Sequence, residues 1–317
     1  MRAPAGSPPK GPPRSIMLRP KGPFDLPLSL RAAACFFPAI AAPPTLLQSP
    51  LLLPDGATII EIRQCAKRRS QVTASASLPV SQNRLQAIAK WLISWDLDLR
   101  PFYRQAASHP IMGPVTAALA GLKPLRPATL FEMAAIAITG QQLSLAAAFK
   151  IRARLVRRFG TPLDGLWIFP SPQAIAAATP DDLRECGLSL RKVQYLQALA
   201  RATMLGELEY ESLALRSDQQ IAQTLMSHRG FGEWSTQFIL VKGFGRPDCL
   251  PSGDVSLRRV IGDYFAGGRR LTKQELERAL LPFKPFRGLA AFYLSVHWRL
   301  YRRTDPCPPR YSTSATA

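Results

Sequence analysis

Apolar residues recur with helical spacing through residues 99–305, and turn residues interrupt the pattern at short intervals. The interruptions carry the signals of helix N-termini. Ser171 and Thr179 each precede a proline, while Thr129 and Thr272 each stand three residues before a glutamate, as in a capping box. We find no convincing strand in this part of the chain. The pattern predicts an all-α domain of eight to ten helices joined by short turns.

The residues before this domain follow a different pattern. β-Branched residues partly alternate with polar ones over residues 57–65 and 70–77, which is typical of strands. Residues 83–94 return to helical spacing. The apolar run at 32–42 resembles the hydrophobic region of a signal peptide, but Pro38 interrupts it and it lies far from the start, so we assign it to folded structure. Residues 21–98 are therefore predicted to form a small α+β domain.

Both ends of the chain differ in composition from these domains. Residues 1–20 are rich in Pro, Arg and Lys and lack acidic side chains, so we expect disorder there. The same composition is also that of an organellar transit peptide, and a simpler alternative is a true start at Met17. Residues 306–317 are expected to be a disordered tail.

The charge of the chain indicates a polyanionic partner. The 317 residues include 41 Lys and Arg against 21 Asp and Glu, which gives a net charge of +20. Nucleic acid is the first candidate; general solubility or an arginine-rich genome is the alternative. The five cysteines are scattered, so we expect no disulfide framework, zinc site or iron–sulfur cluster. No apolar run approaches the roughly 20 residues of a membrane span.

A glycine-containing turn separates two predicted helices near the end of the domain. The helices cover residues 218–226 and 233–242, and the turn SHRGFG lies between them. Its glycines, Gly230 and Gly232, tolerate positive φ and leave the backbone uncovered. The first amides of the second helix can then bind a phosphate of DNA, as in a helix-hairpin-helix. An ordinary αα-hairpin with a glycine turn is the alternative.

Asp254 follows the turn-forming sequence PSG, and helical spacing resumes directly after it. The residue is therefore expected at the N-cap of the next helix, a position that aspartate favours for structural reasons alone. A carboxylate fixed there, beside a hairpin that binds DNA, could also face an extruded sugar. The two roles are compatible.

Four stretches together resemble the helix-hairpin-helix/Gly-Pro-Asp superfamily of DNA glycosylases, and within it the 3-methyladenine-DNA glycosylase II family. They are DLDLRPFYRQAASHPIMGPV (96–115), AIAITGQQLSLAAA (135–148), RGFGEWSTQFILVKGFGRPDCLPSGD (229–254) and FKPFRGLAAFYLSVHW (283–298). The resemblance covers residues 21 to about 305, most strongly from Asp98. It implies a mainly α fold, in which a helix-hairpin-helix bundle of two helical lobes follows the small α+β domain.

The resemblance assigns roles near the hairpin residue by residue. Asp254 falls on the family's essential aspartate. Trp234 and Phe238 fall on the face that lines the base pocket, although core packing is an equal alternative for Phe238. Trp234 also occupies the position of the Schiff-base lysine of bifunctional relatives, so no covalent sugar adduct is expected. Lys242 lies two helical turns further on and is a poor substitute.

Other roles concern DNA outside the pocket. Gln142, next to Gln141, falls where the family inserts a wedge into the space left by the flipped base; the alternative is a polar face of a buried helix. An aromatic stacking position falls on Ser295, which leaves the base preference open, and Trp298 lies one turn later. The expected DNA contacts are Gln141, Gln142, Arg229, Gly230, Gly232 and Arg258. Further phosphate contacts are expected from Arg259, Arg269 and Arg270. A third set either contacts DNA or forms a solvated helix face: Arg152, Arg154, Arg157 and Arg158.

These assignments predict a monofunctional DNA glycosylase of base excision repair. It would flip out and hydrolyse alkylated purines from double-stranded DNA and leave an abasic site. The alternatives are a glycosylase for oxidised or deaminated bases and a non-catalytic DNA-binding protein. We expect a monomer of bacterial type in the cytoplasm, associated with the nucleoid, without cofactor or catalytic metal. A structural monovalent cation at the hairpin is the one ion that the resemblance suggests, held by the carbonyls of Met226, His228 and Phe231.

Overall fold

The structure, a computed structural model, describes residues 15–36, 45–65 and 70–302. The N-terminal part is a four-stranded antiparallel sheet in the order β1-β4-β3-β2, accompanied by two helices. The elements are β1 (Ser15–Leu18), α1 (Leu26–Ala34), β2 (Leu46–Leu53), β3 (Gly56–Gln64), β4 (Val72–Ala76) and α2 (Gln82–Leu92). The predicted strands at 57–65 and 70–77 and the helix at 83–94 are thus confirmed.

Strand β1 corrects the expected disorder of residues 1–20. It pairs with β4 from Ser15 opposite Ser75 to Leu18 opposite Val72, and Leu18 is buried in the core of the sheet. Four residues are too few for a periodic signal, and the strand is ordered by pairing with a partner far along the chain. A start at Met17 would divide this strand. Residues 1–14 and the tail 303–317 lie outside the described residues.

The rest of the described chain is helical, as predicted. Five helices of five to seven residues each raise the number above the predicted eight to ten, because such short helices contain too few apolar repeats to recognise. The helices are α3 (Arg100–Ala106), α4 (Met112–Ala118), α5 (Leu130–Gly140), α6 (Leu145–Phe159), α7 (Pro172–Ala177), α8 (Pro180–Glu185), α9 (Leu190–Met204), α10 (Tyr210–Ala214), α11 (Asp218–Ser227), α12 (Glu233–Lys242), α13 (Val255–Phe265), α14 (Lys273–Leu280) and α15 (Arg287–His297). A 3₁₀ turn, Leu281–Phe283, precedes α15, and a π turn, Trp298–Arg302, follows it.

A small hairpin corrects the prediction that this domain contains no strand. Strands β5 (Thr161–Leu163) and β6 (Leu166–Ile168) pair across Asp164 and Gly165. These two residues have φ of 46° and 77°, the left-handed pair that a two-residue hairpin turn requires. The Asp-Gly dipeptide was the signal in the sequence, but strands of three residues are too short to show alternation.

The helices form two lobes around separate cores, as the family resemblance implies. Helices α5 to α12 surround one core, which includes Met133, Leu196 and Ile239. Helices α3, α4 and α13 to α15 surround the other, which includes Phe102 and Tyr293. Because α12 belongs to the first lobe and α13 to the second, the chain between them, residues 243–254, crosses the boundary.

A connecting segment, residues 119–128, joins α4 to α5 and packs against the α+β part. The buried Lys123 donates from Nζ to the carbonyl of Lys21 at 2.8 Å, and Ser94 Oγ donates to the carbonyl of Pro124 at 2.6 Å. Burial lowers the pKa of Lys123 to about 8. The segment therefore completes hydrogen bonds inside the N-terminal part although it follows that part in sequence.

Candidate active site and DNA interface

The two glycines of the hairpin turn between α11 and α12 have different structural roles. Gly230 has φ of +102°, and a Cβ there would lie 2.7 Å from the ring of Tyr195. Gly232 is extended, with φ of −108°, and a Cβ there would meet no atom within 4 Å. The expectation of positive φ is thus confirmed only for Gly230. Gly232 instead leaves open space directly before the N-terminus of α12.

One face of α12 carries the predicted base-pocket residues. The rings of Trp234 and Phe238 stack with centroids 5.5 Å apart and planes inclined by 21°. Lys242 follows one turn later on the same face, and all three side chains are half-buried. The face is therefore accessible rather than sealed inside the first lobe.

Asp254 is the N-cap of α13, as predicted, and it also contacts α12. One carboxylate oxygen, Oδ1, accepts from the backbone amide of Leu257 at 2.9 Å. The other, Oδ2, accepts from the indole Nε1 of Trp234 at 3.0 Å. Both oxygens are oriented by donors, and the Trp234 bond links the two lobes. The sequence pattern holds no signal for this bond, because its two residues lie on different helices.

The loop before Asp254 is fixed at two points. Arg287, at the start of α15, forms a bidentate ion pair with Asp248. Its Nε donates to Oδ1 at 2.9 Å and its Nη2 donates to Oδ2 at 2.6 Å. Ser252 is buried, and its Oγ donates to a carboxylate oxygen of Glu277 at 2.6 Å. These contacts hold the loop between α12 and α13, so the position of Asp254 is set from the second lobe as well as from the first.

Lys242 lies among aromatic rings from three parts of the chain. Its Nζ is 4.0 Å from the ring centroid of Phe36, 5.3 Å from that of Phe238 and 5.5 Å from that of Phe292. Burial lowers the pKa of Lys242 to about 7; the charge of Arg299 lowers it further and that of Asp254 opposes the shift. We call the half-buried cluster of Phe36, Trp234, Phe238, Lys242 and Phe292, beside Asp254, the aromatic cleft.

The aromatic position that falls on Ser295 has no ring to contribute. Ser295 is buried on α15, and Phe292, one turn earlier, lines the aromatic cleft instead. Trp298 donates from Nε1 to Asp263 at 2.5 Å, which anchors it to the end of α13. Sequence reasoning missed Phe292 and Phe36. Phe36 precedes α12 by about two hundred residues, so local pattern holds no signal for that contact.

Gly140 ends α5, and Gln141 and Gln142 lie in the turn between α5 and α6, not on a face of a buried helix. Gln142 is exposed and has φ of +55°, which projects it from the surface. The side-chain amide of Gln141 donates inward to the carbonyl of Gly230 at 2.7 Å, and its contact with DNA stays a prediction. Lys192 donates to the carbonyl of Gln141 at 2.6 Å. The turn is thus tied to the hairpin.

The arginines predicted to contact DNA fall into two groups. Arg229 in the hairpin turn, Arg259 and Arg270 are exposed, and Arg258 is half-buried in the first turn of α13. Arg269, by contrast, pairs with Glu275 at 2.8 Å. On α6, Arg158 pairs with Asp182 and Glu185, and Arg152 lies over the ring of Phe149, its guanidinium carbon 4.8 Å from the ring centroid. Arg158 therefore lies on an exposed helix face with acidic partners, whereas Arg152 packs against Phe149, and a DNA contact by either residue stays a prediction.

Within the described ranges, no group of three His, Cys, Asp or Glu side chains could hold a metal ion. No helix there is long and apolar enough to cross a membrane. The monovalent cation at the carbonyls of Met226, His228 and Phe231 stays a prediction.

A helix-hairpin-helix followed by an N-cap aspartate defines the class of protein. In agreement, the family model described as HhH-GPD superfamily base excision DNA repair protein matches residues 135–285. The fold is also that of 3-methyladenine DNA-glycosylase from Archaeoglobus fulgidus, with a TM-score of 0.75 and 22% identity over 90% of this chain and 99% of that one.

Two relatives narrow the class. DNA-3-methyladenine glycosylase of Bacillus subtilis is 31% identical over 231 residues, which are 71% of this chain and 75% of the relative. DNA-3-methyladenine glycosylase 2 of Escherichia coli is 28% identical over 241 residues, 74% of this chain and 79% of the relative. The chain belongs to the DNA-3-methyladenine glycosylase family.

Proposed function

We propose that this protein is a monofunctional DNA glycosylase that removes alkylated purines from double-stranded DNA and leaves an abasic site. The observation that supports it best is the placement of Asp254. Its carboxylate is held by donors from α12 and α13, beside Trp234 of the aromatic cleft and close to the hairpin. The related bacterial glycosylases and the net charge of +20 support DNA as the partner.

The chemistry follows from the arrangement of these groups. A target base inside a duplex cannot reach a side chain, so it must be flipped out at a cost of a few kcal/mol. The hairpin binds the backbone through amides at the start of α12, and Gln142 fills the space that the base leaves. The rings of Trp234 and Phe238 then stack on the base. Cleavage of the glycosidic bond builds positive charge on the sugar, which the carboxylate of Asp254 stabilises.

Two further points complete the proposal. Trp234 stands where a Schiff-base lysine would be needed, so the products are a free base and an intact abasic strand, and borohydride should trap no protein–DNA adduct. We expect the protein to act as a monomer on the bacterial nucleoid.

The test is release of bases from alkylated duplex DNA, measured by chromatography. Asp254→Asn should retain DNA binding within about threefold and lose at least about a hundredfold in excision, because asparagine keeps the N-cap acceptor but not the charge. Asp25→Asn is the matched control, since Asp25 caps α1 through the amide of Leu28. Near-normal excision by folded Asp254→Asn protein would contradict the catalytic role. Absence of base release by wild type that still binds DNA would favour the non-catalytic alternative.

A further inference from the structure

Helix α9 contacts both parts of the chain that the proposed function places against DNA. Lys192 and Tyr195 are three residues apart, so they share a face of this helix. Lys192 binds the turn between α5 and α6, residues 141–144, which we call the wedge turn. The ring of Tyr195 packs against the hairpin, where a Cβ on Gly230 would lie 2.7 Å from it. One helix face therefore supports the wedge turn and the hairpin together.

Lys192 completes the hydrogen bonds at the end of α5. The last carbonyls of a helix have no partner within it, and a cation is favoured at that end of the helix dipole. Nζ of Lys192 donates to the carbonyl of the buried Thr139 at 3.0 Å and to that of Gln141 at 2.6 Å. The ammonium thus joins the last turn of α5 and the wedge turn to α9.

The wedge turn places Gln142 in a conformation that needs this support. Its φ of 55° lies in the left-handed region, which few residues other than glycine adopt, and such a conformation persists only where the surrounding structure holds it. Gln141, directly before it, is held on two sides. Its side-chain amide donates to the carbonyl of Gly230 at 2.7 Å, and its own carbonyl accepts from Lys192. The position of Gln142 therefore depends on α9 and on the hairpin.

We propose that Lys192 is a positioning residue for base flipping. It holds the wedge turn at a fixed place relative to the hairpin, so that Gln142 enters the duplex at a set distance from the phosphate that the hairpin binds. The inference rests on the proposed function and deepens it, because it assigns Lys192 to the step before the glycosidic bond is cleaved. In this role Lys192 touches neither the damaged base nor the reacting atoms.

The experiment compares one damaged strand in two duplexes. An oligonucleotide with a single guanine is methylated and annealed to a complement that places either cytosine or an abasic analogue opposite the 7-methylguanine. Flipping costs less when the target has no pairing partner, so a displaced wedge should matter less there. In single-turnover release of 7-methylguanine, Lys192→Met should lose about tenfold from the paired duplex and less than about twofold from the unpaired one.

Two further variants show whether Lys192 acts through the wedge. Lys192→Arg keeps N–H donors and should restore the ratio of paired to unpaired release to within about twofold of wild type. Gln142→Ala should lower this ratio by itself, and Lys192→Met added to it should lower the ratio little further, because both changes affect the same step. The affinity of Lys192→Met for undamaged duplex should stay within about twofold of wild type, because the hairpin amides that bind phosphate remain.

Lys150→Met is the matched control, since it removes one positive charge from an exposed position on α6, and it should keep the wild-type ratio. Equal losses from both duplexes in Lys192→Met, or a wild-type ratio, would overturn the inference and leave the proposed function intact. Absence of release by wild type from either duplex would overturn the proposed function and the inference with it. If Lys192→Met does not fold, Gln141→Leu, which removes the bond to Gly230, should lower the ratio in the same way, and an unchanged ratio in that variant would overturn the inference.

Discussion

At the scale of single residues, Trp234 combines two functions that its sequence position suggested only in part. Its ring stacks on Phe238, as a pocket residue should, and its indole Nε1 also donates to Asp254. A hydrogen bond to a charged acceptor contributes about 1.5–3 kcal/mol. Substitution by alanine would remove both functions together, so a variant that separates them is needed.

Trp234→Phe keeps an aromatic ring over Phe238 and removes the donor to Asp254. We expect excision of 7-methylguanine and of hypoxanthine to fall by similar factors, about tenfold each, because the lost bond orients the carboxylate and not the base. Trp234→Ala should add a larger loss for the cationic base, through the missing cation–π attraction of about 0.5–2 kcal/mol. Single-turnover rates on matched duplexes measure both. Wild-type excision rates in Trp234→Phe would show that the hydrogen bond from Trp234 to Asp254 does not contribute to excision.

At the scale of elements, what the sequence revealed depends on how local each signal is. Ser171 and Thr179 were recognised as N-caps because a cap and its helix are adjacent in sequence, and both accept the expected backbone bonds. The sequence pattern did not predict β1 and β2, the two edge strands of the sheet, because each is ordered by pairing with a neighbouring strand and not by a local signal. Phe36 and Phe292 reach the cleft from distant elements, and the inward bond of Gln141 depends on the hairpin. The candidate site was therefore predicted in its hairpin, in Trp234 and Phe238 on α12 and in Asp254, and not in the aromatic residues that distant elements contribute.

The hairpin yields a prediction that separates its two glycines. Gly232→Val should weaken binding to any duplex, damaged or not, while the melting temperature stays near that of wild type, because the added side chain meets only the space before α12. Gly230→Val should lower the melting temperature, since it forces a positive φ on a β-branched residue and drives a Cβ into Tyr195. Fluorescence anisotropy with undamaged duplex and thermal unfolding measure the two effects. Full affinity in Gly232→Val would contradict the phosphate contact.

The first turn of helix α5 contains a glutamate, Glu132, whose ionisation destabilises the folded state. Burial raises the pKa of Glu132 to about 7, while the amide of Ala128, which donates to it at 3.0 Å, and the charge of Arg152 act the other way. The Glu132 carboxyl therefore makes its full contribution to the free energy of unfolding at a pH below its pKa in the unfolded chain. That contribution is lost as the pH rises through 7, the pKa in the folded chain. Relative to wild type, Glu132→Gln should gain about 2–3 kcal/mol in free energy of unfolding between pH 5 and pH 8. Denaturant unfolding at both pH values measures the difference, and a pH-independent difference would contradict the assignment.

At the scale of the whole molecule, the N-terminal part is joined to both lobes and is not an independent appendage. Ala32 of α1 lies in the core of the second lobe, and Phe36 lines the aromatic cleft. The predicted boundary near residue 98 is thus a change of pattern in the sequence and not a separation in space. Changes in the sheet are expected to reach the cleft through α1.

Two truncations test the contribution of β1. A chain that begins at Ser15 keeps the whole strand, whereas one that begins at Arg19 removes it and uncovers the edge of β4. We expect the second chain to melt at least about 4 °C below the first, which for a chain of this size corresponds to the loss of a small edge strand and the buried Leu18. Differential scanning calorimetry measures both. Equal melting temperatures would mean that the strand contributes nothing to stability.

The connecting segment also determines the order in which the chain can fold as it leaves the ribosome. The sheet and α2 are complete by Leu92, but the carbonyls of Lys21 and Ser94 receive the ammonium of Lys123 only after that residue has been added. At roughly 5–20 residues per second, the interval from α2 to the end of the segment lasts about 2–7 seconds. During that time the nascent sheet exposes the surface that the segment later covers. A pause in synthesis before residues 93–128 have emerged from the ribosome should therefore prolong a state that chaperones recognise, whereas the same pause after they have emerged should not.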